Sequence, residues 1–184
     1  MKKRILLSLA MLVWAGNIMA APLMLFGASL KNATRSSLEA SLQKAGLSAI
    51  QVGAQWWFDV YQVSGQLPGA DKLSVGYTVN NQFAIAEYEF PSFMDMGQVE
   101  KIITMTQDKY GPPGRQSGSP NLGNVTAIWN EGNGMQIRVW RGWPQTTTYL
   151  DLVDVSNYSK MKQQMRVQKE KEEAKQAQSH SNAF

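Results

Sequence analysis

The chain of 184 residues has no cysteine and a single histidine, His180, close to its C-terminus. Each absence removes chemistry. Without cysteine there is no disulfide, no thiolate nucleophile or metal ligand, and no thiol to carry a lipid. With no histidine between Ala21 and Val155, a Ser-His-Asp triad and an imidazole-based zinc site are excluded there as well. No glycine-rich phosphate loop follows a strand-like segment, and no calcium-loop spacing occurs. The expectation is a protein without catalytic residues, cofactor or metal.

Positive charge is scarce where it would matter. Of the 18 basic residues, three lie in the first four positions and six follow Ser156. Between Ala21 and Val155, nine basic residues meet eleven acidic ones. Nucleic-acid binding needs a basic face that neutralises phosphates, so that partner class is excluded and a protein partner is expected instead.

Long apolar runs are missing too. The first twenty residues, "MKKRILLSLAMLVWAGNIMA", combine a basic start, an apolar stretch too short to span a bilayer, and a small-residue end at Ala20. This is the layout of a secretory signal peptide, residues 1–20. It predicts a periplasmic or secreted protein, not membrane-spanning after cleavage, with one domain over 21–155 and a charged tail over 156–184.

Within 21–155 the pattern is α+β. "TRSSLEASLQKAG" reads as a helix capped by Thr34, with capping-box spacing from Ser36 to Glu39, ended by Gly46. "DMGQVEKIITMTQDKYGPP" reads as a second, with Asp95 as cap, Val99, Ile102, Ile103, Thr106 and Tyr110 as its buried stripe, and Gly111 as its stop. Three strands follow each: 56–63, 72–79 and 83–90, with a turn at Asn80 and Asn81, then 125–131, 134–141 and 147–154. The expected architecture is a six-stranded, mainly antiparallel sheet built from two helix-plus-three-strand units, 30–92 and 93–155, with both helices on one face. "GPPGRQSGSPNLGN", residues 111–124, reads as a long exposed loop. Tyr158, Met161 and Met165 allow the first turns of the tail to dock as a helix; the remainder is helical in solvent or frayed.

Alternation splits each strand into faces. One set is apolar. The other holds Trp57, Asp59, Tyr61, Glu87, Glu89, Arg138, Trp140, Tyr149 and Asp151. Two helices cannot cover both sides of such a sheet, so this second face is expected to be open. Aromatics and arginines mixed with carboxylates are the residue types of binding hot spots, which points to an envelope protein partner; the same residues also stabilise sheets as cross-strand pairs. Trp143, at a hairpin end, reads as a packing plug. Glu87 and Glu89 project together about 7 Å apart on one strand, a separation used by inverting glycosidases, so glycan binding or hydrolysis is the alternative from another class. A structural homodimer through the same face is a third. Ser41 and Lys44 have S-x-x-K spacing without its companion motifs, and read as an ordinary helix turn.

"KYGPP" (109–113), Trp129, "QIRV" (136–139) and "YLDLVD" (149–154) together resemble a pattern of small exported bacterial proteins. These residues are helix stop and strand core, so the resemblance implies fold alone. The tandem layout is similar in outline to secreted β-lactamase inhibitor proteins, which bind through an open sheet face, and to BamE-type outer-membrane assembly lipoproteins. The cysteines of both families, including the lipidated one, are absent here.

Overall fold

The computed structural model describes residues 22–53, 57–92 and 95–181. The expected signal peptide and Trp56 lie outside them. Two short strands, β1 (Met24–Leu25) and β2 (Ala28–Ser29), precede α1 (Arg35–Lys44). Four strands follow: β3 (Ala49–Gly53), β4 (Phe58–Gln62), β5 (Lys72–Tyr77) and β6 (Phe83–Phe90). Then α2 (Gln98–Tyr110) leads into β7 (Arg115–Ser119), β8 (Leu122–Asn130), β9 (Met135–Arg141) and β10 (Thr148–Asp154), and α3 (Val155–Ser181) closes the chain.

The fold is α+β, and the described residues form three helices and one large antiparallel sheet, in the order β3-β4-β5-β6-β10-β9-β8-β7. The sheet therefore has eight strands, not six, and α1 and α2 are each followed by a meander of four. The two strands missing from the sequence reading are its edges. β7 lies in the segment taken for a loop: Arg115 to Ser119 pairs with β8. β6 and β10 lie side by side at the centre.

Helix ends follow local chemistry. Thr34 caps α1, but its reciprocal partner is Ser37, whose hydroxyl accepts from the Thr34 N–H at 3.0 Å, and not Glu39. Gly46 and Gly111, at φ +81° and +79°, stop α1 and α2 in a backbone region that glycine enters without steric cost. Asp95 sits two residues before the Gly97 cap of α2 and accepts from the Gly97 N–H at 2.9 Å.

Leu38 and Leu42 of α1 and Val99, Ile102 and Ile103 of α2 pack with Leu73, Val75, Phe90, Ile137, Val139 and Leu152 into one core on the inner face of the sheet. Each such side chain, taken from water to full burial, contributes about 1.5–3 kcal/mol. The β1–β2 turn region adds Leu23, Leu25 and Leu30 to this core.

The third helix departs from the expectation of helices on one face. Asp154 accepts from the Asn157 N–H at 3.0 Å, which is the N-cap geometry for α3. Asn157 Nδ2 donates to the Phe83 carbonyl at 2.9 Å, and the Val79 N–H donates to Gln164 Oε1 at 3.0 Å. These bonds lay α3 across β5, β6 and β10 on the outer face. There Met161 joins Ala84, Ile85 and Val153 in a second apolar cluster, flanked by Trp57, Phe58, Tyr158 and Met165. The outer face is therefore part covered and part bare.

Candidate functional site: the outer face of the sheet

Strand register sets which side chains meet. One row across the outer face runs Val60, Ser74, Glu87, Asp151, Arg138, Ile128. The adjacent row runs Gln62, Lys72, Glu89, Tyr149, Trp140, Thr126. Five of the eight residues assigned from sequence, namely Glu87, Glu89, Arg138, Trp140 and Tyr149, thus stand side by side, together with Asp151.

Asp59 and Tyr61 do not join them. Both are buried on the inner face, where Asp59 accepts from Arg35 Nε at 2.8 Å and from the Gly53 N–H at 3.0 Å. Asp59 thereby ties α1 to the hairpin of β3 and β4. Burial beside that carboxylate pushes the Tyr61 hydroxyl up to about 12. The misassignment has a physical cause. Trp57 has φ +83°, so the chain enters β4 through a break in extended geometry and alternation cannot be carried across it. A one-residue slip exchanges the faces of a whole strand, so Phe58 and Val60 take the outer side instead. Trp57 itself packs beside the cluster under α3.

Asp151 is the centre of the covered part. It is fully buried, and its Oδ2 accepts from Arg138 Nε at 2.8 Å and from Trp140 Nε1 at 2.9 Å. Tyr158 of α3 interacts with the same guanidinium. Asp151 Oδ1 is buried and meets no N–H or hydroxyl donor. Directly opposite in the ladder stands the Glu87 carboxyl. Two ionised carboxylates cannot share so dry a site; a proton on Glu87 supplies the donor that Asp151 lacks. Burial, and then the charge of Asp151, push Glu87 up to about 8. Burial raises the Asp151 carboxyl too, against the pull of Arg138 and Trp140, so the pair shares one proton at neutral pH, and the donors already on Asp151 favour its place on Glu87.

Moving away from α3, the face becomes accessible. Trp140 and Tyr149 are both half-buried and stack with ring centroids 4.4 Å apart and planes at 18°. The Arg138 guanidinium lies 5.8 Å from the Trp140 ring centroid. Next to Tyr149 is a depression of about 450 Å³ lined by Ile50, Gln51, Phe58, Val60, Lys72, Ser74, Glu87, Glu89 and Tyr149. It is apolar at the β3–β4 end and polar towards β10. Ile50, Gln51, Phe58, Val60, Lys72 and Ser74 were not singled out from sequence; with β3 unrecognised and β4 read out of phase, nothing placed them beside Tyr149.

A second depression of about 580 Å³ lies between α3 and the β5–β6 turn, lined by Trp57, Val79, Lys160, Gln163, Gln164, Val167, Gln168 and Lys171. Trp143 is 54% exposed at the β9–β10 end, so it is not the packing plug expected. Ser41 donates to the Ser37 carbonyl at 3.1 Å on α1, an ordinary helix-surface bond. Among the described residues no helix is long and apolar enough to cross a membrane.

No family model and no curated protein matches the chain. Among solved structures it is similar to a DUF4309 family protein (YjgB) from Bacillus subtilis, at 16% identity over 69% of this chain and 82% of that one, with a TM-score of 0.43.

Proposed function

We propose that this chain is a non-catalytic binding module of an exported compartment, and that its ligand surface is the bare part of the outer face, from the Trp140–Tyr149 stack to the depression beside it. The ligand on this reading is an envelope protein. One observation carries the proposal: aromatic, apolar and charged side chains converge on an uncovered depression of about 450 Å³ beside a helix that covers the rest of the same face. An aromatic anchor that is half-exposed without a ligand has area to lose on binding, and such anchors contribute on the order of 2 kcal/mol when desolvated. Arg138 is assigned a different role from the one its residue type suggests. Its guanidinium is engaged by Asp151 and Tyr158, so it holds the stack in place and is not the contact itself. Export rests on the leader sequence alone.

A photo-crosslinking residue at Tyr149 tests the reading in the native envelope. One discrete protein adduct at position 149, lost on Val60→Asp, supports it. Crosslinking no stronger than from an exposed position on α2 such as Glu100 opposes it.

The glycan reading is favoured by a separate observation, the proton held by Glu87 beside Glu89 and two aromatic rings. A general acid of this kind needs a raised pKa. Here, though, the proton is directed to Asp151 within the protein. Hydrolysis or binding of muropeptides abolished by Glu87→Gln and Glu89→Gln would select this alternative.

A further inference from the structure

The inner face is not packed solid throughout. Where β1 and the connection from β4 to β5 meet α2 lies a pocket of about 200 Å³. Leu150 and Leu152 line it from β10, Met105 from α2, Met24 from β1 and Leu67 from the connection. Thr106 explains the gap locally. It stands on the buried stripe of α2, but its hydroxyl turns back to donate to the Ile102 carbonyl at 2.8 Å, and so short a side chain leaves the space before it open. The remaining polar groups of the pocket are donors. Tyr88 is 8% exposed, and its hydroxyl forms no hydrogen bond with another described residue. Burial, and then the neighbouring Tyr110, hold that hydroxyl protonated well above its ordinary range, so it stays a donor. Lys109 Nζ lies 5.0 Å from the centroid of the Tyr110 ring and pairs with no carboxylate among the described residues. No aspartate or glutamate lines the pocket.

Size and charge together select an occupant. An apolar cavity of about 150 Å³ stays dry and accepts benzene, so by proportion about 200 Å³ accepts a body of about eight non-hydrogen atoms. Methionine on two sides lets the fit adjust, because an unbranched thioether repacks easily. A neutral apolar molecule would leave the Tyr88 hydroxyl and the Lys109 ammonium unused, whereas a carboxylate accepts from both. A lysine in the last turn of a helix also offsets its dipole; that role does not account for the unbonded, buried hydroxyl beside it. We infer that this pocket binds a small monocarboxylate, with a compact apolar body among Met24, Met105, Leu150 and Leu152 and its carboxylate accepting from Lys109 and the hydroxyls of Tyr88 and Tyr110. The pocket lies on the opposite side of the sheet from the protein-binding surface, and the inference does not rest on that reading.

The probe is 3-phenylpropionate, whose apolar body matches that size. Added to the full chain, it should shift the methyl NMR signals of Met24 and Met105 saturably, with half-saturation at roughly millimolar concentration or below, the range open to so small a ligand. The matching primary amide, of the same shape without the charge, should bind at least about ten-fold more weakly. Lys109→Gln, on the helix surface, should erase that preference. Thr106→Leu, which fills the pocket from α2, should abolish the shifts while leaving the thermal melt at or above that of the parent; should it fail to fold, Lys109→Gln still decides. Acid and amide binding alike, an acid preference that survives Lys109→Gln, or no saturable shift at Met24 and Met105 up to about 20 mM acid would overturn the inference.

Discussion

The two faces of this sheet are covered by different means and hold different chemistry. The inner face is closed by α1, α2 and the β1–β2 segment over a continuous apolar core. Polar groups there are clamps: Arg35 on Asp59, and the buried Arg141, which donates to the carbonyls of Met96, Pro120 and Gly123 at 2.9, 2.9 and 3.0 Å. The outer face is closed over part of its width by α3, with a small apolar cluster and the buried Asp151, and is bare over the rest, with Glu87 at the border of the two. The comparison teaches that residue type does not assign role on such a face; position relative to α3 does. Arg138 and Tyr149 are two strand positions of equal hot-spot character. One is engaged by a buried carboxylate and a helix side chain, and the other lines an accessible depression.

The largest expected effect is at the covered carboxylate. Asp151→Ala leaves the Arg138 guanidinium without its counter-charge and should cost about 3–5 kcal/mol in urea unfolding. A loss below about 1 kcal/mol would mean that the cluster behaves like an exposed ion pair. Met161→Ala, which opens the apolar contact beneath α3, should cost about 2–3 kcal/mol, and far-ultraviolet circular dichroism should show the sheet retained.

Glu87 gives a pH signature. Folded, it keeps its proton up to about pH 8; unfolded, it releases it near the ordinary carboxylate value of about 4.3. The folded state thus binds the extra proton between those values. This contribution to stability is complete below about pH 4 and is lost as pH rises through about 8. Glu87→Gln, which mimics the protonated form, should melt close to the parent at pH 5 and above it at pH 9, by up to about 4 kcal/mol. Parallel melting curves at both pH values would place the proton elsewhere. Smallest is Tyr149→Ala, expected to cost about 1 kcal/mol or less in stability, the value of one cross-strand aromatic pair, while removing the crosslinked adduct.

Much of this fold was legible in the sequence where burial writes a pattern. Both core helices, their glycine stops and six strands follow from apolar spacing, because each has one wet and one dry side. The two edge strands left no such mark. "RQSGS" is exposed on both faces, and "AIQVG" is five residues long and mostly exposed, so backbone pairing alone defines them. The outer-face set was read correctly on β6, β9 and β10, where alternation is unbroken. It failed on β4, where Trp57 and Phe58 are both aromatic and a positive φ at Trp57 resets the phase. The course of α3 was legible only in its first turns. Tyr158, Met161 and Met165 mark an apolar stripe, but the bonds that choose the face, from Asn157 to the Phe83 carbonyl and from the Val79 N–H to Gln164, join residues far apart in the chain.

Thiol labelling tests the division of the outer face most directly, since a cysteine-free chain allows single reporters. Val153→Cys lies in the cluster beneath α3, and Glu89→Cys lines the depression. If α3 divides the face as described, the thiol at position 89 reacts with a maleimide at least ten-fold faster than the one at 153, and ending the chain before α3 brings the two rates together. Equal rates in the full chain would contradict it.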